Sequence, residues 1–217
     1  MSLLKSYQIA ERFISPQGEG VYTGTMMAFI RFAGCSVGKK ICQHCDTDFE
    51  NMLPWQGGGL FTNDALASWV SASHVLHVCL TGGEPLDQPE LQTLVERFTN
   101  LGLIVHIETS GTIKYLDFLS QDRVWMTMSP KPGWLKENYT PTHEFKVIVN
   151  GLGNGPGWPT LADAIEIERT TLKPVFLQPR NLKTEVHRDN LMLVEDIVRQ
   201  HPQLRLSIQT HKLLRVR

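Results

Sequence analysis

What most limits the fold of this chain is a repeated step, in which a short apolar run breaks off into a polar turn. VLHVCL at 75–80 runs into Thr81-Gly82-Gly83-Glu84-Pro85, and LIVHI runs into Glu108-Thr109-Ser110-Gly111-Thr112. VWMTM runs into Ser129-Pro130-Lys131, and PVFLQ at 174–178 into Gln178-Pro179-Arg180-Asn181. Runs of this length bounded by Gly, Pro and Ser read as buried strands. MMAFIRFA at 26–33, residues 144–150 and LRLSIQTHK near the C-terminus read the same way.

Helical spacing fills the gaps. Ala65, Leu66, Trp69 and Val70 follow Thr62, a capping residue type, and Leu91, Leu94, Val95 and Phe98 precede Gly102, a helix-ending one. Further helices are expected over 160–169 and 185–201. Strands alternating with helices make a parallel sheet with right-handed crossovers, which puts nearly every polar turn on one rim. The expected class is α/β, one domain over 1–217, with about six or seven strands and so an incomplete TIM-like barrel. Residues 51–60, with Pro54, Trp55 and Gly57-Gly58-Gly59, and residues 151–159 are the least constrained stretches.

The composition excludes several classes. A net charge of -1 lacks the basic excess of a nucleic-acid surface. No apolar run approaches the roughly 20 residues that span a bilayer, and the N-terminus lacks a signal-peptide core. Four cysteines, three of them clustered, do not form the paired framework of a secreted protein. The expectation is a cytoplasmic protein with no nucleic-acid or membrane partner.

The clustered cysteines lie in RFAGCSVGKKICQHCDTD, at Cys35, Cys42 and Cys45. Three thiolates in one loop suit a metal: a structural zinc site takes four ligands, whereas three cysteines on a cubane leave one iron open. Cys79, alone in an apolar strand, reads as core.

This loop resembles the cluster loop of radical S-adenosylmethionine (SAM) enzymes, and in particular that of the 7-carboxy-7-deazaguanine synthase family. The superfamily's spacing is Cys-x3-Cys-x2-Cys; here six residues, Ser36 to Ile41, separate Cys35 from Cys42, while Cys42-Gln43-His44-Cys45-Asp46-Thr47 keeps the second half. A loop lengthens at small entropic cost, so Cys42 is taken as the second ligand. Gly82-Gly83-Glu84-Pro85 matches the superfamily's SAM amino-group motif, and Pro16-Gln17-Gly18-Glu19-Gly20 resembles the family's substrate segment.

The resemblance implies a partial barrel of the radical SAM type, with [4Fe-4S], SAM and Mg2+ as cofactors. It implies SAM contacts at His44, Cys45, Asp46, Gly83, Glu84, Ser110, Ser129, Pro130, Lys131, Gln178, Pro179, Arg180 and Asn181. Pterin contacts are implied at Pro16, Gln17, Gly18, Glu19, Arg31, Thr81, His211 and Arg217. Thr47 would hold Mg2+, a flavodoxin would supply electrons, and the assembly would be a homodimer. From the residues alone, Gln17 and Glu19 also suit a plain surface turn, Arg31 and Lys131 also suit solvent, and Thr47 also suits a loop cap. Two other functions use the same cysteines: a glycyl-radical activase, and a structural zinc module with His44 or another donor as fourth ligand.

Overall fold

The computed structural model describes residues 6–42, 45, 47–182 and 185–214. Its strands are β1 (Ser6–Pro16), β2 (Met26–Phe32), β3 (Gly59–Thr62), β4 (His77–Gly82), β5 (Ile104–Thr109), β6 (Val124–Met128), β7 (Glu144–Val149), β8 (Val175–Pro179) and β9 (Arg205–Leu206). Its helices are α1 (Gly38–Ile41), α2 (Asn63–Ala72), α3 (Leu91–Asn100), α4 (Leu161–Thr171), α5 (Arg188–Gln200) and α6 (Thr210–Leu214).

The strands form one sheet in the order β3-β1-β2-β4-β5-β6-β7-β8-β9. From β2 through β9 every neighbouring pair is parallel, and β1 is antiparallel to both β2 and β3. With β3 and β9 as outer strands the sheet does not close, which is the incomplete barrel expected from the strand count.

Helices on the outer face make the parallel strands apolar on that side. Leu91, Leu94, Val95 and Phe98 of α3 are buried, as are Leu66 and Val70 of α2, against Ile30, Leu80, Val105 and Ile107. A fully buried side chain of this size contributes roughly 1.5–3 kcal/mol, so this layer fixes the strand order. The helix ends use the capping residues seen in the sequence. Thr62 Oγ1 accepts from Ala65 N at 3.2 Å, and Thr160 forms a reciprocal capping box with Asp163.

Three expectations change. Residues 51–60 are not a loose excursion: Leu53 N donates to the Ala10 carbonyl, and β3 pairs with the start of β1. The C-terminal segment is not one strand, since β9 stops at Leu206 and residues 210–214 are helical. The polar motifs are not all on one rim either. Pro16 pairs with Met26, at the N-terminal end of the parallel strands, so Gln17 and Glu19 enter the sheet's concave face from the opposite end.

Candidate active site

The concave face encloses a cavity of about 320 Å³ lined by residues of β1, β2, β4, β5, β7 and β8 and of the turns that follow them. Phe13 and Phe29 stack on its wall with ring centroids 5.0 Å apart. Cys35, Cys42 and Cys45 line one side of it, and Gln17, Glu19, Glu108 and Lys146 line another. The larger cavity beside it, about 640 Å³, shares Cys42, Cys45, Lys131 and Gln178 and extends to Trp158, Pro179, Arg180 and Asn181.

The cysteine loop is docked by backbone. Gly34 N donates to the Phe49 carbonyl at 2.8 Å, while Gly83 N donates to Phe32 O at 3.0 Å and Glu84 N to Gly34 O at 3.3 Å. The turn after β4 therefore lies directly against the loop after β2. All four cysteines are free thiols, and Cys79 is buried on β4 rather than in the loop, though it lines the same cavity. Burial pushes the Cys42 thiol up and the nearby Lys131 pulls it back down.

Soft sulfur donors on one loop at a cavity wall suit an iron–sulfur cluster. Among the described residues no three His, Cys, Asp or Glu side chains are gathered at metal distance.

Glu84, expected to receive the ammonium of SAM, lines the first cavity from the turn after β4. It is 1% exposed and accepts from Thr109 Oγ1 at 2.7 Å, Ser110 N at 2.9 Å, Ser110 Oγ at 2.5 Å and Leu86 N at 3.2 Å. With its lone pairs so occupied it braces the β4 turn against the β5 turn, and burial raises its pKa.

Lys131 donates to Ser129 Oγ at 2.7 Å and Ser129 O at 3.1 Å, and it stands 5.3 Å from the Trp158 ring centroid. Burial lowers its pKa. Gln178, expected among the SAM contacts, lies in the wall between the two cavities: its Nε2 donates to Glu19 Oε1 at 3.3 Å and its Oε1 accepts from Ser207 Oγ at 3.0 Å. Asn181 Nδ2 donates to Gln209 Oε1 at 2.9 Å.

Arg31 faces the cavity, not solvent. Its Nε donates to Glu11 at 2.7 Å and its Nη1 to Thr47 Oγ1 at 3.2 Å. Thr47 offers one neutral oxygen beside that guanidinium, which alone does not make a magnesium site.

Lys146 is the centre of the buried charge. Its Nζ lies 2.7 Å from Glu19 Oε2 and 2.5 Å from Glu108 Oε2, with its side chain 5% exposed. Gln209 Nε2 donates to Glu19 Oε1 at 2.6 Å, and Gln17 Nε2 donates to Glu108 Oε1 at 3.4 Å. Burial alone would raise the Glu19 carboxyl, but the Lys146 ammonium holds it well below the usual carboxylate range. The two carboxylates keep Lys146 protonated against its own burial. Gly18 packs closely on α6, where a Cβ would fall 2.1 Å from the His211 ring and 3.1 Å from the His211 backbone N.

The expected residues Pro16, Gln17, Gly18, Glu19, Arg31, Thr47, Thr81, Gly83, Ser110, Ser129, Lys131 and His211 all line the first cavity. Pro130 follows Ser129 in the turn after β6, buried. His44, Asp46 and Arg217 lie outside the described residues. Missed from the sequence were Phe13, Phe29, Glu108, Lys146 and Gln209. The available signal was EFKVIV, a strand with two charges on one face, where a buried charge needs a partner.

The chain is similar over nearly its whole length to 7-carboxy-7-deazaguanine synthases. The one from Bacteroides thetaiotaomicron is 37% identical over 213 residues, covering 97% of this chain and 98% of its own. The one from Synechocystis sp. is 36% identical over 217 residues, covering 99% and 96%. The crystal structure of QueE from Escherichia coli matches the fold with a TM-score of 0.71 at 25% identity, covering 93% of each chain. No protein-family model matches the chain.

Proposed function

The chain belongs to the 7-carboxy-7-deazaguanine synthase family, and from that membership we propose that its cavity binds 6-carboxy-5,6,7,8-tetrahydropterin and converts it to 7-carboxy-7-deazaguanine with release of ammonia. The observation that carries this reading is that the cysteine loop shares one cavity with Gln17, Glu19 and Arg31. The enzyme is a radical SAM carbon–nitrogen lyase with a [4Fe-4S] cluster and SAM as cofactors. When bound, these supply a 5′-deoxyadenosyl radical that takes a hydrogen atom from the substrate.

The chain's own residues bind, orient and exclude water. Cys35, Cys42 and Cys45 would hold the cluster. SAM would lie along the Gly83 backbone, Ser110, Ser129-Pro130-Lys131 and Gln178-Pro179-Arg180-Asn181, together with His44 and Asp46. Glu84 would join that site from the turn after β4, its carboxylate also fixing the Ser110 hydroxyl. Gln17 and Glu19 would read the donor and acceptor edge of the pterin, Arg31 would grip its carboxylate, and Thr81 and His211 would complete the contact. The stacked Phe13 and Phe29 make that wall dry.

Magnesium belongs to the same reading only as an ion whose remaining oxygens come from substrate and water at Thr47, and no step is assigned to it. Flavodoxin as electron donor, a homodimer and a cytoplasmic location complete the proposal. Among the described residues no helix is long and apolar enough to cross a membrane.

Anaerobic turnover of the reconstituted protein with the carboxytetrahydropterin, SAM and dithionite tests it. Formation of 7-carboxy-7-deazaguanine is expected. SAM cleavage with no such product would keep the radical chemistry and overturn the substrate.

A further inference from the structure

The geometry points to Lys146 as a positioning residue for substrate recognition: by bridging Glu19 and Glu108 it keeps Glu19 ionised and fixes which oxygen of that carboxylate is left for the ligand. This rests on the reading above, in which Glu19 accepts from the pterin edge.

A carboxylate has about four lone-pair sites. Gln209 and Gln178 both donate to Glu19 Oε1, at 2.6 and 3.3 Å, so that oxygen is full. Oε2 accepts from Lys146 at 2.7 Å and keeps one site. The remaining acceptor is therefore on the oxygen that Lys146 holds. An ionised Glu19 presents an acceptor there, whereas a protonated one would present a donor to ligand N–H groups and repel them.

Lys146 is what decides between the two states. Its distances of 2.7 and 2.5 Å to Glu19 and Glu108 bring those two buried oxygens within about 5 Å of each other. Two carboxylates that close in a dry site do not both stay ionised without a cation between them. The other charged or titratable groups facing them are Glu144 on the Lys146 strand, Cys79 on β4, Lys131 after β6 and His211 on α6. Glu144 adds negative charge, and its own carboxylate is engaged by Thr127 Oγ1 and Val21 N. Lys146 alone among these cations contacts both carboxylates.

The test uses Lys146→Met, which keeps the length and removes the charge, in cluster-reconstituted protein with SAM bound. Pterin affinity is measured anaerobically from pH 6 to 9, with iron content and SAM affinity as controls. The wild type should bind with little pH dependence. Lys146→Met should bind at least ~30-fold more weakly near neutral pH and recover by about tenfold per pH unit as Glu19 ionises, because one proton must leave for each acceptor regained.

Lys146→Met/Glu108→Gln removes the opposing carboxylate as well, so it should bind more tightly than Lys146→Met at neutral pH. It also stands in where the single variant fails to fold. Equal affinity for Lys146→Met and wild type overturns the inference. So does a loss that is flat with pH and not relieved in the double variant, which would be a packing defect. A wild type that binds SAM but not the pterin overturns the substrate reading itself.

Discussion

Gly83 and Gly34 meet backbone to backbone: a Cβ built on Gly83 would fall 1.4 Å from the Gly34 carbonyl oxygen and 3.2 Å from Cys35 Cβ. The turn after β4 and the cysteine loop are thus one unit, and the gap between them admits no side chain. The neighbouring atom is main chain and cannot swing away. Gly83→Ala is expected to force the loop off the turn, at roughly 3 kcal/mol or more. The variant should melt lower and lose iron uptake together; a variant with wild-type melting and full iron content would show that the contact is slack.

Cluster ligation follows the same geometry. Cys35, Cys42 and Cys45 reach the cavity from one loop, while Cys79 reaches it from within β4, where it is buried. Changing any of the three loop cysteines to Ala should abolish stable iron and sulfide incorporation after anaerobic reconstitution. Cys79→Ala should retain it. Iron retained in Cys42→Ala but lost in Cys79→Ala would reverse the assignment across the longer loop.

The strand-and-turn series was readable in the sequence because it is local: each run is apolar, short and bounded by its own turn residues. β1 was not, since SYQIAERFISP mixes charge with apolar residues and becomes a strand only by pairing with β2 on one side and β3 on the other. The site divides in the same way. Gln17, Gly83 and Lys131 sit in turns that announce themselves, but the Glu19 to Lys146 pair spans 127 residues. Glu144 and Lys146 alternate in the strand EFKVIV, a pattern that marks a charged face without saying what that face meets. Only the curvature of the sheet turns that face inward onto Glu108 and Glu19.

Arg31 holds Glu11 and Thr47 at once, at 2.7 and 3.2 Å, and lines the cavity. A guanidinium fixed on two sides presents its remaining N–H groups in one orientation, which suits a carboxylate. Arg31→Ala should weaken pterin binding by about 2 kcal/mol or more, close to 30-fold, with iron content and SAM affinity unchanged. Thr47→Ala should lower turnover more than SAM affinity and make activity less responsive to added magnesium. Unaltered pterin affinity in Arg31→Ala, read by calorimetry, would remove it from the substrate site. Full magnesium-independent activity in Thr47→Ala would leave Thr47 as a loop residue.

Opposite the cysteine loop the concave face is plugged by rings. Tyr22 packs edge-on against His106 at 4.6 Å and Trp125 at 4.9 Å, and Trp125 stacks on His143 at 4.8 Å. His77 Nδ1 and His106 Nε2 are 2.8 Å apart, so one of these rings donates and the other must stay an acceptor. Burial, reinforced by His77 and His143, pushes His106 down to about 3, and burial also lowers His77 and His143. In the unfolded chain the same imidazole takes a proton near its ordinary value of 6.5. Between those two values the unfolded state holds the extra proton, so stability is full above pH 6.5 and declines as the pH falls toward 3. His106 alone should contribute a slope of about 1.4 kcal/mol per pH unit in that window. Urea unfolding at several pH values between 7.5 and 5 should show the decline. His106→Phe, which keeps a ring and removes the titrating nitrogens, should make the decline shallower by about one proton. A slope unchanged from wild type would mean that the acid sensitivity resides elsewhere.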